Sequence, residues 1–363
     1  MKALVMRGVD EIGVEDLDVP EPGPTDVRVR IVASGVCHSD ATVLHGGLPT
    51  PLPIVLGHEG AGVVDKVGTD VDGIVVGDHV VISIVIGCQS CPHCARGTRE
   101  LCLTNMQSAF SGALIDGSTP LRRGQETIHS FFSQSSFAEY AVVPAAAVVP
   151  IRKDAPLETA ALLGCGVMTG IGAVTRRAKV PAGASVVVIG VGGVGLSAVM
   201  GAKAAGATTI IAIDILDDKL QMAKNFGATH TINSARQDPI AETMEITGWG
   251  ADFAFDAVGV GTTLETAFGL VHTGGEVVAI GLTDVTATVT VDVFGLLFQK
   301  RLTGTYGGSI DPHVDIPETV DRFMDGTLPL DRLISKKYSL EQAPEVFADM
   351  AAGRIARGVI VFE

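Results

Sequence analysis

The chain has 363 residues, 47% of them hydrophobic, and a formal net charge of -15. That length suits two domains with two cores, and the negative balance excludes nucleic acid and anionic membrane faces as partners, since both select basic surfaces. Any anionic ligand must therefore be held by local positive groups.

The start, Met1 to Arg7, has no sustained apolar run followed by a cleavage site, so no secretory signal is expected. Residues 1 to about 36 alternate apolar and polar positions, as in Asp26-Val27-Arg28-Val29-Arg30-Ile31-Val32, with interruptions at Pro20, Pro22, Gly23 and Pro24. Short antiparallel strands in a barrel-like arrangement are predicted. The pattern resumes at Gly62 to Gly68 and at Gly77 to Ile82, which leaves the residues between on loops of a β-rich domain.

Those loops carry Cys37-His38-Ser39-Asp40 and Gly57-His58-Glu59. A lone buried cysteine is usually a small hydrophobe, and a lone loop histidine a hydrogen-bonded polar residue. Together, a thiolate and an imidazole suit a borderline-soft ion such as zinc, which in a catalytic site needs three protein ligands and keeps a fourth position open. Gly57 and Gly60 flank His58-Glu59 and permit a sharp turn. The third ligand has to arrive from far along the chain, and Cys165 in Leu163-Gly164-Cys165-Gly166 is the one cysteine not otherwise assigned.

The remaining cysteines form Cys88-Gln89-Ser90-Cys91-Pro92-His93-Cys94, with Cys102 after seven further residues. Four thiolates in so short a span close a tetrahedral zinc site with no vacancy, which is a structural site. Two disulfides are one alternative, disfavoured by the reducing cytosol that ligand-like cysteines without a signal imply. An iron–sulfur cluster is another, weakened by the gap before Cys102 and the lack of a following proline. Residues 103 to 140, including Asp116-Gly117-Ser118 and Phe131-Phe132, read as loops and strands that form part of a cleft wall. Pro144, Pro150 and Pro156 then lead to a helical stretch, Thr159 to Leu163, that delivers Cys165.

From about Val167 apolar strands alternate with helical segments, the signature of βαβ units over a parallel sheet. Ala184 to Ala202 is apolar enough to resemble a membrane span, but Gly190, Gly192, Gly193 and Gly195 interrupt it, and a strand, a tight turn and a helix start fit better. Strand Ser185 to Ile189 runs into Gly190-Val191-Gly192-Gly193-Val194-Gly195. Such glycines close the turn, let the backbone approach a pyrophosphate and let the helix pack on the sheet. A second strand, Thr209 to Ile213, ends in Asp214, 19 residues after Gly195. An acid there accepts hydrogen bonds from the adenosine ribose and repels a 2'-phosphate, so NAD is favoured over NADP. Further strands are predicted at Asp252 to Asp256 and Glu276 to Gly281, and a closing strand, Gly358 to Phe362, is expected to rejoin the first domain.

Taken together, Gly57-His58-Glu59-Gly60-Ala61-Gly62 with Gly68, the four-cysteine lobe, Leu163-Gly164-Cys165-Gly166, and Gly190 to Gly195 with Asp214 resemble the zinc-dependent medium-chain alcohol dehydrogenases over nearly the whole chain. The resemblance implies an α/β protein: a GroES-like β-rich catalytic domain (1–166 and 306–363) and a Rossmann doubly wound parallel-sheet coenzyme domain (167–305). It implies two zinc ions per chain, a catalytic one on Cys37, His58 and Cys165 and a structural one on Cys88, Cys91, Cys94 and Cys102. Ser39 matches the hydroxyl that bonds the substrate alcohol, Asp40 the carboxylate that orients the ligand histidine, and Glu59 an acid near the metal. Thr169 and Val194 match residues beside the nicotinamide, Lys219 a contact to the adenosine ribose, and His38 and Arg357 contacts to the pyrophosphate. A homodimer is implied by the length between Cys102 and Cys165, with a tetramer as the alternative.

Two departures bear on substrate and proton path. Thr42 stands where animal members place a relay histidine, so His38, His45 or water would carry the proton. Met106 stands where glutathione-dependent formaldehyde dehydrogenases carry an arginine. With Ile84, Phe110, Leu114 and Phe137, Met106 suggests an apolar cleft for medium-chain aliphatic or aromatic primary alcohols and their aldehydes. The alternatives are oxidation of a hydroxymethyl-glutathione adduct, a polyol dehydrogenase, a nicotinoprotein that never releases NAD, and a catalytically silent nucleotide sensor of the same fold.

Overall fold

The computed structural model describes residues 1–282 and 286–363, and the chain divides into two compact units, residues 1–165 with 311–363 and residues 166–310. The second boundary falls five residues later than the expected 305 because Tyr306 to Ile310 stays with the second unit. There Gly308 lies so close to the helix Gly166–Gly172 that a Cβ would sit 2.3 Å from the Met168 carbonyl oxygen.

The first unit is built on the strand Asp26–Val36. Val27, Val29, Ile31 and Ala33 are all essentially buried, the period of two that turns one strand face to a core, and the first three pack with Val64, Val80, Ile82, Val143 and Val148. Antiparallel neighbours are Gly60–Val67, Tyr140–Pro144 and Arg357–Val361, so the chain's end rejoins its beginning. Two pairs among the described residues depart from the antiparallel expectation, Ile54–Val55 with His129–Ser130 and a longer pair near the chain's end. Ile334–Tyr338 runs parallel to Arg357–Val361, joined by the helix Ala343–Ala351, as a parallel pair requires a crossover. A second sheet orders Glu11–Asp16, Lys2–Gly8, Ile54–Val55 and His129–Ser130.

The second unit holds a six-stranded sheet in the order His230–Asn233, Thr209–Asp214, Ser185–Ile189, Ala251–Asp256, Val271–Ala279, Arg301–Gly304, every pair parallel. Val186, Val187 and Val188 are fully buried, as in a sheet covered on both faces. The order reverses beside Ser185–Ile189, which is where doubly wound sheets bind ligands. The apolar stretch 184–202 is a strand followed by the helix Gly193–Ala204. Among the described residues no single helix is long and apolar enough to cross a membrane.

Candidate metal centre and nucleotide turn

Strand register brings the first cluster together. Ser34 pairs with Gly60, and the Gly35 amide donates to the Glu59 carbonyl at 3.0 Å, so Cys37, just past the end of one strand, comes beside His58 and Glu59, just before the start of the other. The third segment is docked by the Ile84 amide, which donates to the Gly164 carbonyl at 3.1 Å. Gly164 has to be small, since a Cβ there would stand 2.6 Å from the Ile82 carbonyl oxygen and 3.2 Å from the Glu59 Cα. As a result Cys37 Sγ, a ring nitrogen of His58, a Glu59 carboxylate oxygen and Cys165 Sγ all lie within 4.8 Å of one another.

Asp40 holds this arrangement from inside the protein. Fully buried, it accepts the Cys37 and Gly57 amides at 3.0 Å each and sits 3.1 Å from His58 Nδ1. That leaves His58 Nε2 buried with no hydrogen-bond partner, an arrangement that is costly unless a ligand completes it. Burial opposes a charge on His58, yet the Asp40 carboxylate and Cys37 hold its pKa well above the ordinary value. Hydrogen bonding with Cys165, aided by His58, holds the Cys37 thiol well below its ordinary range despite burial, while the same contact and burial push Cys165 up. Two soft sulfurs, an imidazole nitrogen aimed at them and a carboxylate fit a zinc ion, which would displace the protons the cluster now shares.

Other implied site residues fall around this cluster. Ser39 Oγ is 3.8 Å from Cys37 Sγ, and His38 is exposed on the same short helix, His38–Leu44. The Thr42 hydroxyl donates to the His38 carbonyl at 2.9 Å, and His45 Nδ1 lies 2.5 Å from Asp10. The buried Arg357 guanidinium pairs with the Glu59 carboxylate, so each buried charge has its counter-charge. Gly35 makes room for that pair, because a Cβ there would lie 2.1 Å from Glu59 Oε2.

Rings line one side. Phe132 stacks on His58 at 4.9 Å between centroids, Phe131 meets it edge-on at 5.5 Å, and Phe110 packs edge-on against both phenylalanines. Of the residues expected in an apolar cleft, Leu114 and Phe137 are core residues, the latter against Phe347, and Ile84 is also buried. Met106 is 54% exposed. The sequence pattern hinted at Phe131-Phe132 only as part of a wall, and gave no sign that they would pack on the histidine.

The four-cysteine lobe closes locally. Cys88, Cys91, Cys94 and Cys102 present their sulfurs within 4.8 Å of one another, and all four are free thiols. The Cys91 amide donates to Cys88 Sγ and the Cys88 amide to Cys102 Sγ, both at 3.3 Å. Hydrogen bonds from Ser90 and Thr104 lower the Cys88 pKa to about 5, so a thiolate is ready at neutral pH. Four convergent sulfurs with amide donors fit a tetrahedral structural zinc.

In the second unit the glycine turn has the shape a pyrophosphate needs. Gly190 has φ +80, and a Cβ on Gly195 would fall 1.8 Å from the Gly190 carbonyl oxygen. Gly192, which caps the helix Gly193–Ala204, has open space where its Cβ would be, a cradle in front of a helix N-terminus. Asp214 is bound to this turn. Its carboxylate accepts the Val191 amide at 3.0 Å and the Ile215 and Leu216 amides at 2.8 and 3.1 Å. Val194 is half-buried on that helix, Lys219 half-buried on Asp217–Phe226, and Thr169 buried on Gly166–Gly172.

Comparison with known proteins agrees over both units. Residues 23–153 match the alcohol dehydrogenase GroES-like domain, and residues 193–325 match the zinc-binding dehydrogenase family. A Schizosaccharomyces pombe protein named as probable S-(hydroxymethyl)glutathione dehydrogenase 1 is 38% identical over 99% of this chain and 96% of its own length. Among solved structures, an alcohol dehydrogenase zinc-binding domain protein from Burkholderia ambifaria superposes with a TM-score of 0.96 at 38% identity, covering 100% of this chain and 98% of that one. Benzyl alcohol dehydrogenase from Acinetobacter calcoaceticus superposes with a TM-score of 0.95 at 36% identity, covering 100% and 99%.

Proposed function

The chain belongs to the zinc-dependent medium-chain alcohol dehydrogenase family, and from that premise we propose that this oxidoreductase interconverts primary alcohols, aromatic or medium-chain aliphatic, with their aldehydes, using NAD. The observation that carries the reading is the cluster of buried Cys37, His58 and Glu59 with half-buried Cys165, in which His58 Nε2 is left unpartnered.

When bound, zinc supplies Lewis acidity to an alcohol oxygen and NAD accepts the hydride. The rest is the work of side chains. Cys37, His58 and Cys165 would hold the metal, and Asp40, beside Nδ1, fixes the imidazole so that Nε2 is left for it. Ser39, near Cys37 Sγ, takes the alcohol proton and passes it outward through His38, His45 or water. The Phe110, Phe131 and Phe132 rings exclude water beside His58 and favour an apolar substituent on the reacting carbon. Cys88, Cys91, Cys94 and Cys102 would hold a second zinc, which would supply a cross-link within their lobe. In the coenzyme unit the glycine turn receives the pyrophosphate, and the Asp214 carboxylate receives the ribose hydroxyls and disfavours NADP, with Lys219, Thr169, Val194, His38 and Arg357 as further coenzyme contacts. A cytosolic homodimer belongs to the same proposal.

The aromatic preference is supported by the rings against His58 and by the likeness to a benzyl alcohol dehydrogenase. A second reading, oxidation of S-(hydroxymethyl)glutathione, is favoured by the name of the yeast relative and opposed by Met106 standing in the arginine's place. A steady-state panel of ethanol, hexanol, benzyl alcohol, and formaldehyde with glutathione, each with NAD and NADP, separates the two. Higher kcat/KM for benzyl alcohol or hexanol than for ethanol, with NAD, is the expected outcome. Ethanol equal to or better than either would overturn the apolar preference, and the glutathione adduct as best substrate would install the second reading.

A further inference from the structure

One buried polar side chain beside the metal cluster has no part in the chemistry above. Gln134 is 2% exposed and lies 76 residues along the chain from His58. Its Oε1 accepts the Gly60 amide at 2.7 Å, and its Nε2 donates to the His58 carbonyl at 3.0 Å and toward the Ile82 carbonyl at 3.5 Å. A single carboxamide thus closes on both ends of the His58-Glu59-Gly60 backbone. Gly60 lets it come that close, since a Cβ there would meet Gln134 Oε1 at 3.0 Å and Ser136 Cβ at 2.8 Å.

The segment carrying Gln134 is held in a costly conformation. Phe132, Ser133 and Ser135 have φ of +50, +52 and +57, the left-handed region that non-glycine residues occupy only where their surroundings over-determine it, often at functional sites. The neighbours continue the contact. The Ser136 amide donates to the Gly57 carbonyl at 2.9 Å and the Phe137 amide to the Leu56 carbonyl at 3.1 Å. Asp40 orients the ring of His58, and the Gln134 carboxamide holds the carbonyl of the backbone from which that ring projects.

We propose that Gln134 is a positioning residue for the metal centre: by clamping the two peptides that flank Glu59, the first of which carries the His58 carbonyl, it sets the reach of His58 Nε2 toward the sulfurs of Cys37 and Cys165. The proposal rests on the reading of those three residues as the zinc ligands. Partners that orient metal ligands are typically worth about 10–100-fold in affinity or activity.

The test uses the full chain loaded with zinc, and a second preparation exchanged with cobalt(II). Gln134→Met keeps length and volume but removes both hydrogen-bonding ends. Gln134→Glu keeps the acceptor for Gly60 and loses the donor to His58. Ser135→Ala breaks hydrogen bonds in the same strained segment, from Phe131 and to Val55, without touching His58. The expected result is that Q134M releases one of two zinc equivalents to a chelator about 10–100-fold faster than the parent, with an altered cobalt visible spectrum. The slower equivalent, in the four-cysteine lobe, should leave at the parental rate, and S135A should match the parent in both. If Q134M does not fold, Q134E carries the same expectation alone. Parental release and spectrum in both Gln134 variants, or equal acceleration in S135A, overturn the proposal. A parent that binds only the lobe's metal overturns the ligand reading beneath it, which is a distinguishable failure.

Discussion

The four-cysteine lobe and the Cys37–His58–Cys165 cluster ask the same thing of the chain, convergent soft donors, and meet it at opposite ranges of sequence separation. In the lobe, Cys88 to Cys102 lie within one short excursion, and local turns supply both the sulfurs and the amides that stabilise them. In the other cluster, two strand ends and a loop about a hundred residues further on must meet, and a buried carboxylate has to orient the histidine. A local site can form early and stiffen its own segment. A site drawn from distant segments inherits its geometry from a finished fold, and can leave a coordination position for substrate.

The largest separation between the two should come from removing one sulfur at each. Cys37→Ala should lower kcat/KM for benzyl alcohol on the order of a thousandfold, about 4 kcal/mol in the barrier, with little change in Tm. Undiminished oxidation in that variant would end the zinc mechanism. Cys102→Ser should do the reverse, releasing the lobe's metal and costing about 3 kcal/mol of stability, roughly 6–12 °C in Tm, while turnover per remaining metal is retained. Melting curves and metal analysis on both variants check this, and equal loss of turnover would mean the two sites do not act separately.

A smaller effect tests how much the distant cluster depends on its orienting carboxylate. Asp40→Asn should weaken metal retention or kcat by about 10–100-fold, measured by chelator competition and steady-state rates. Parental values would mean that strand register alone places His58.

The smallest concerns pH and the lobe. With Cys88 lowered from 9.0 to about 5 by Ser90 and Thr104, its thiolate stabilises the folded metal-free lobe. That contribution is fully present above pH 9 and is lost as pH falls through about 5. In metal-stripped protein Tm should therefore rise by roughly 1–3 °C from pH 5 to 9, modest because the group is accessible to solvent. Cys88→Ala should flatten that rise, and an unchanged slope would refute the hydrogen-bonded thiolate.

What the sequence by itself determined is what short-range spacing encodes. The strand Ser185–Ile189 with its glycine turn and Asp214 was readable because one continuous segment holds every part, and period-two burial in Asp26–Val36 was readable for the same reason. The cysteines of the lobe announced themselves by spacing, and Asp40 became a candidate through family likeness. Only the tertiary structure decided the rest. The stacking of Phe132 on His58, the closing of Gln134 over the His58 backbone and the pairing of Glu59 with Arg357 each join residues 74 to 298 positions apart, where no periodicity links the partners. The same holds for Leu114 and Phe137, which sequence assigned to a cleft and packing assigned to the core. An apolar side chain looks identical in either place, and which one it lines is settled by the strands and rings that close over it.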